Sequence, residues 1–529
     1  MCAVVTQLHQ LIEDRAAQRG DSPALTFKDA TLTYVQLQRE LESFAGALNG
    51  IRLERGQRVG VYLDKRIETV VSIFGTSAAG GVFVPVNPLL RPRQVAHILN
   101  DCDVRVLVTS PERLELLQEE LEGCVSLAHV IVVGGKAAAP DPSPAYEILA
   151  WEDVCAAPTG RLPDPGRIDV DMAAILYTSG STGKPKGVVL SHRNLLGGAE
   201  SVSEYLENTE DDCILAALPL SFDAGFSQLT TGFRVGAHVV LINYLLPGDV
   251  VRLCAQHGVT GLTCVPPLWI QLADQSWPPE ASAGLRYFAN TGGRMPRSTL
   301  QRLRGIFPNA RPYLMYGLTE AFRSTYLDPS EVDNRVDSIG KAIPNAEILV
   351  VRPDGSRCDP GEQGELVHRG ALVAMGYWND PERTAERFKP APGREYGLGD
   401  SELAVWSGDL VVADDDGFLY FVSRQDEMIK TSGYRVSPTE IEEVVYETGL
   451  VGGAVALGID DPRVGQRIVL VVSPANGDVL TPELLLTRLK RELPLYMVPK
   501  EVVVRTALPR SPNDKFDRNL LRQELVGAS

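Results

Sequence analysis

Short apolar runs alternate along the chain with stretches whose apolar residues recur every three or four positions. Runs at 58–63, 104–109, 129–133, 174–177, 238–242 and 346–351 predict buried strands. The stretches 91–102 and 111–122 carry the helical period. Strands separated by helices predict an α/β architecture with parallel-rich layers. A short strand at 417–422 precedes a polar connector near residue 425, and Ser437-Pro438 then starts a helix. Strands at 454–457 and 468–472 follow, giving a small α/β unit of about a hundred residues at the C-terminal end. The expected division is a large domain over 1–424 and a small mobile domain over 425–529.

One stretch imitates a membrane span. Residues 69–90 carry no charge. Gly75, Gly80, Gly81, Pro85, Asn87 and Pro88 interrupt it, so it predicts a buried helix followed by a buried strand. The N-terminus meets charge before any apolar run suited to a signal peptide. Chain composition is that of a globular protein, with 44% hydrophobic and 22% charged residues. The net charge of −17 argues against nucleic acid or an anionic membrane as the main partner. The eight cysteines are scattered with no C-x-x-C, and the seven histidines form no H-E-x-x-H. That excludes a protein-ligated metal cage and suits a reducing, cytoplasmic setting. Glycine and proline around 391–400 predict a mobile surface loop.

The densest chemical signal is Tyr177-Thr-Ser-Gly-Ser-Thr-Gly-Lys-Pro-Lys-Gly-Val188, which directly follows a strand. Gly180, Gly183 and Gly187 let backbone N–H groups approach an anion. Thr178, Ser179, Ser181 and Thr182 add hydroxyls, and Lys184 and Lys186 add charge. The composition is that of a polyphosphate cradle. It is not a Walker A loop, since no glycine stands five residues before Gly183-Lys184. It is not a nucleophile elbow, since Ser179 stands two residues before Ser181.

This stretch resembles the phosphate loop of the adenylate-forming superfamily of acyl-CoA synthetases, peptide-synthetase adenylation domains and luciferases. Further motifs follow in the same order across nearly the whole chain. Asn290-Thr-Gly-Gly-Arg294 resembles the turn bordering adenine and the acyl pocket, and Tyr316-Gly-Leu-Thr-Glu320 resembles the adenine and magnesium motif. Gly364-Glu-Leu and Gly376-Tyr-Trp-Asn379 resemble a structural run, and Trp406-Ser-Gly-Asp409 resembles the ribose motif. Arg424-Gln-Asp426 resembles the interdomain hinge, and Pro509–Arg518 resembles the loop holding the adenylation lysine.

The resemblance implies ATP, Mg²⁺ and a thiol acceptor, either CoA or a carrier protein's phosphopantetheine. It implies that Lys515, Glu320 and Thr178 act in catalysis, with Glu320 also holding the metal. Nucleotide contacts would come from the loop 179–184, Lys186, Gly292, Gly293, Arg294, Tyr316, Gly317, Thr319, Asp409 and Arg424. Asp426, Lys430 and Gly433 would form the hinge and thiol tunnel. Two positions depart from the pattern, where Ser423 and Asp514 replace the usual glycines. Asp514 raises the question of whether it draws charge from Lys515.

The acyl pocket would be walled by Asp223, Ala224, Ser227, Asn290, Gly292, Met315 and Arg323. A buried carboxylate needs a partner. In the leading reading, Asp223 pairs with the ammonium of an amino acid, which a separate carrier protein then receives. In the alternative, Asp223 pairs with Arg323 and the enzyme is an acyl-CoA ligase for an acid without an amine. A catalytically silent nucleotide-binding homologue is the remaining alternative.

Overall fold

The structure is a computed structural model. It describes residues 4–90, 92–135, 145–156, 166–178, 185–393, 402–424, 429–431, 434–461, 464–475, 480–493, 495, 497–512 and 514–527. The predicted loop at 391–400 lies largely outside these residues.

Three sheets organise the described chain. A fourteen-stranded sheet and an eight-stranded sheet are built from residues before 425, and a five-stranded sheet from residues after it. The predicted runs appear as strands Arg58–Tyr62, Val104–Thr109, His129–Val132, Met172–Thr178, His238–Leu241 and Ala346–Val351. The predicted helices appear as Pro92–Asp101 and Pro111–Leu121. The span-like stretch is the buried helix Ile67–Ala79 followed by the strand Val82–Pro85. Among the described residues, no helix is long and apolar enough to cross a membrane.

The large sheet has a parallel centre. Cys213–Ala216, Gly261–Cys264, Tyr287–Asn290 and Arg311–Tyr316 pair side by side in one direction. Their carboxyl ends therefore open on one edge, where α/β sheets gather their ligands. Beyond Arg311–Tyr316 the sheet turns antiparallel, and Leu403–Ala413 pairs with Leu419–Arg424.

The helix Asp223–Val235 lies between the two large sheets. Its Phe226 ring packs 5.2 Å from Phe83 of the second sheet and 6.1 Å from Phe74. Burial on both sides carries Asp223, at the start of this helix, into the interior. Gly225 makes the approach possible, because a Cβ there would stand 1.9 Å from the Pro219 carbonyl oxygen.

Candidate active site

The phosphate-loop motif bridges two antiparallel strands. Met172–Thr178 pairs with Lys186–Ser191, so that Thr178 stands opposite Lys186. Ser179, Gly180, Ser181, Thr182, Gly183 and Lys184 lie outside the described residues. Both flanking positions face inward chemistry. Thr178 Oγ1 is buried with no partner among the described residues. Lys186 Nζ donates to Glu320 Oε1 at 2.9 Å and to the Tyr377 hydroxyl at 2.7 Å.

Glu320 follows the strand Arg311–Tyr316, in a single turn of 3-10 helix. Tyr377 also donates its hydroxyl to Glu320 Oε1, at 2.5 Å. Burial alone would raise the Glu320 pKa, but the Lys186 ammonium and the Tyr377 hydroxyl outweigh it and hold it at about 2. Glu320 is thus an ionised oxygen donor at neutral pH. No cluster of three or more His, Cys, Asp or Glu suited to a metal occurs among the described residues. A single ionised carboxylate fits Mg²⁺ that takes its other ligands from phosphate and water.

Tyr316 and Asp409 meet across the sheet, with the Tyr316 hydroxyl donating to Asp409 Oδ2. Asp409 is buried, and its backbone N–H donates to Ser407 Oγ at 3.0 Å. The Tyr316 ring lies 6.2 Å from Phe421, leaving an aromatic face beside a buried carboxylate. Such a pair suits a nucleoside, with stacking for the base and acceptors for the ribose hydroxyls. Gly317 packs on the backbone of Arg323, where a Cβ would stand 3.0 Å from Cα.

The acid side is assembled differently. Asp223 Oδ2 lies 3.5 Å from the Arg323 guanidinium, and Asp223 Oδ1 accepts from the Thr319 hydroxyl at 3.4 Å. Burial pushes the Asp223 carboxyl above its usual range, while Arg323 and Lys515 pull it back. Beneath this pair is a small cavity bordered by Ala224, Ser227, Thr231, Tyr287, Met315 and Arg323. A water-sized sphere can move its centre through about 10 Å³ of it, roughly enough for one water. Met315 Sδ accepts the Tyr205 hydroxyl at 2.9 Å. Asn290 donates from Nδ2 to the Gly293 carbonyl at 2.8 Å, while its Oδ1 is buried with no partner among the described residues.

Lys515 reaches this mouth from the small domain. A Cβ on Gly292 would stand 3.2 Å from Lys515 Cε, and Lys515 Nζ is 5.4 Å from the Phe222 ring centroid. A tight turn presents it: Ser511 N–H donates to the Lys515 carbonyl at 2.7 Å, and Arg510 bridges Phe516. Asn87 Nδ2 donates to the Pro512 carbonyl at 2.6 Å and seats the turn on the large domain. The Asp514 substitution has a local answer. Its φ is +59°, which aspartate tolerates better than most side chains. Its carboxylate takes Arg510 at 2.7 Å.

Arg294 stands apart from the expected nucleotide contacts. It pairs with Asp337 at 2.7 Å and with Glu443 of the small domain at 3.5 Å. Arg424 and Lys430 end and occupy strands, while Asp426 and Gly433 lie outside the described residues. Two functional candidates escaped the sequence reading. Tyr377 was placed in a structural run, although it touches both Lys186 and Glu320. Lys65 is buried and donates to the carbonyls of Ala216, Ala217 and Leu218 at 2.9, 2.8 and 3.1 Å. It pins the segment leading to Asp223, and nothing in its local sequence announces that.

Comparison with known proteins agrees with this geometry. The model of the AMP-binding enzyme family matches residues 12–378, and that of the AMP-binding enzyme C-terminal domain matches 440–515. The chain is 30% identical to a long-chain-fatty-acid–CoA ligase of Salmonella typhimurium, over 98% of this chain and 95% of that one. It is also 30% identical to gramicidin S synthase 2 of Aneurinibacillus migulanus, over 97% of this chain and 11% of that one. Its fold matches the anthranilate CoA ligase AuaEII in complex with anthranoyl-AMP, with a TM-score of 0.87 at 24% identity over 99% and 98% of the chains. A benzoate CoA ligase from Burkholderia xenovorans matches with a TM-score of 0.85 at 23% identity over 98% and 100%. With its nucleotide-type and acid-type halves facing a lysine from a second domain, the chain belongs to the AMP-binding enzyme family of adenylate-forming ligases.

Proposed function

We propose that this protein is a CoA ligase that activates a small carboxylic acid lacking an α-ammonium. The observation that carries the reading is Asp223: its charge is answered inside the protein by Arg323 and Thr319. A substrate amine would compete for a carboxylate already engaged. A plain acid leaves no buried charge without a partner. The CoA acceptor is supported by the CoA ligases among its relatives and fold neighbours.

In the first step a carboxylate oxygen of the acid attacks the α-phosphorus of ATP. The bond to the pyrophosphate oxygen breaks, giving acyl-adenylate and pyrophosphate. Lys515 Nζ bridges the carboxylate and an α-phosphate oxygen as negative charge gathers there. Tyr316 and Asp409 hold adenine and ribose. Lys186 and Thr178 border the phosphates, and Glu320 would hold Mg²⁺, which neutralises phosphate charge when bound. In the second step the small domain turns about the connector near residue 425, and the CoA sulfur attacks the acyl carbon and expels AMP.

The test is pyrophosphate release with ATP, Mg²⁺ and pooled acids, with and without amines, followed by thioester formation on CoA or on a phosphopantetheinylated carrier protein. Acids without an amine and CoA are the expected pair. Activity confined to amino acids and lost in Asp223→Ala would replace this reading with an amine-binding pocket. ATP binding without pyrophosphate release from any acid would favour a catalytically silent homologue.

A further inference from the structure

Arg323 has more hydrogen-bonding capacity than the protein uses. The residue is 2% exposed and borders the cavity beneath Asp223. One terminal nitrogen reaches the carbonyl of its neighbour Phe322 at 3.3 Å and Asp223 at 3.5 Å, and the guanidinium also meets the Tyr205 hydroxyl. Its Nε is buried with no partner among the described residues. This is not the matched two-bond fork that arginine and a carboxylate make when they serve only each other.

Most of the wall around it is apolar, from Val202, Leu206, Ile214 and Met315, with a few polar groups that do not answer Nε. Ser227 and Thr231 hydroxyls lie 3.4 Å apart, and the Tyr287 hydroxyl accepts from Asn208 at 3.4 Å. Leaving a buried donor unmatched costs about 1–3 kcal/mol. An alkyl chain in this cavity would seal that cost in. An acceptor on the substrate would remove it. The space is that of roughly one water, so the acceptor is small and the acid short. Charge decides its kind. Arg323 and Asp223 already balance, so a second carboxylate would leave an excess negative charge in a buried pocket.

Building on the ligase reading, we propose that the substrate is a short hydroxy- or oxo-acid. Its neutral oxygen, a few bonds from the reacting carboxylate, accepts from Arg323 Nε. Arg323 is then the residue that determines specificity, and Asp223 holds it in place.

The experiment measures kcat/KM for hydroxamate formation with ATP, Mg²⁺ and hydroxylamine. At each chain length the full protein receives an unsubstituted acid, its hydroxy and oxo derivatives, and the dicarboxylate: butanoate, 3-hydroxybutanoate, 3-oxobutanoate and succinate, then the five-carbon set. The hydroxy- or oxo-acid should exceed the unsubstituted acid by about tenfold or more, the scale of one matched hydrogen bond. Arg323→Met should erase or invert that ratio. The double variant Asp223→Asn with Arg323→Met keeps the pocket neutral and should show the same inversion if the single variant fails to fold. A preference for unsubstituted acids or dicarboxylates at every length, or a ratio unmoved by both variants, overturns the proposal and leaves the ligase reading standing. Silence with every acid of this panel overturns the proposal, and silence extending to the pooled acids of the ligase assay overturns the ligase reading as well.

Discussion

The nucleotide half and the acid half of the site are built to different standards of completeness. On the nucleotide side, Lys186, Glu320 and Tyr377 close on one another at 2.5–2.9 Å and Tyr316 seals Asp409, with Thr178 Oγ1 the exception, buried without a partner among the described residues. On the acid side, Asp223 and its partners stand at 3.4–3.5 Å, while Asn290 Oδ1 and Arg323 Nε wait buried without protein partners among the described residues. In the proposed ligase, the first half is preorganised for the ligand part that never varies. The second leaves polar atoms for the substrate to satisfy, so selectivity is stored as unmade bonds.

Lys515→Ala puts the most pressure on that contrast, because in the proposed mechanism Lys515 serves both halves. Adenylation should fall about a thousandfold, the upper range for one electrostatic donor, while thioester formation from supplied acyl-adenylate survives. Equal loss of both steps in rapid-quench assays would deny Lys515 its role in the first.

Glu320→Gln tests the matched half and should lower adenylation by about a hundredfold. Its pH behaviour has a definite sign. The folded-state pKa of about 2 lies below the ordinary carboxylate value of about 4.5, so the ion pair contributes fully above about pH 4.5. That contribution fades as pH falls toward 2. The variant should lose this part of the acid dependence of stability, read by thermal melts between pH 5 and 2; parallel curves would contradict it.

Lys65→Met removes the clamp beneath the acid half. Three buried carbonyls lose their donor, at about 1–3 kcal/mol. A fall in Tm of several degrees is expected, with a larger change in KM for the acid than for ATP. Equal changes in both would make Lys65 a general support.

The smallest effect is expected at the domain contact. Arg294→Ala removes partly exposed pairs with Asp337 and Glu443, each worth under about 1 kcal/mol. The ratio of first- to second-step rates should shift less than about fivefold, and the shift should fade at high salt. A large, salt-insensitive shift would show that this contact governs the domain motion.

Most of the fold was legible because runs such as 104–109 and 346–351 are apolar but for one charged residue each, Arg105 and Glu347, and their bounds match the strands observed. The motifs carrying Tyr316, Glu320, Asp409 and Lys515 were legible because each is a local run of residues. What escaped depends on contacts distant in sequence. Lys65 acts on carbonyls about 150 positions away, and Tyr377 meets Glu320 from a run with no chemical signature of its own. Arg294 sits within a recognisable motif, but Asp337 and Glu443 decide where its charge goes.

The pairing of Thr178 with Lys186 separates two quantities that usually change together. Register is fixed, because slipping either strand by one residue would turn that strand's side chains to the opposite face of the sheet. The length of the chain joining them is not constrained by that pairing. Insertions and deletions between the two strands are therefore a route by which descendants of this sequence can alter the proposed phosphate contacts without rebuilding the sheet, whereas the strands themselves have almost no freedom to drift.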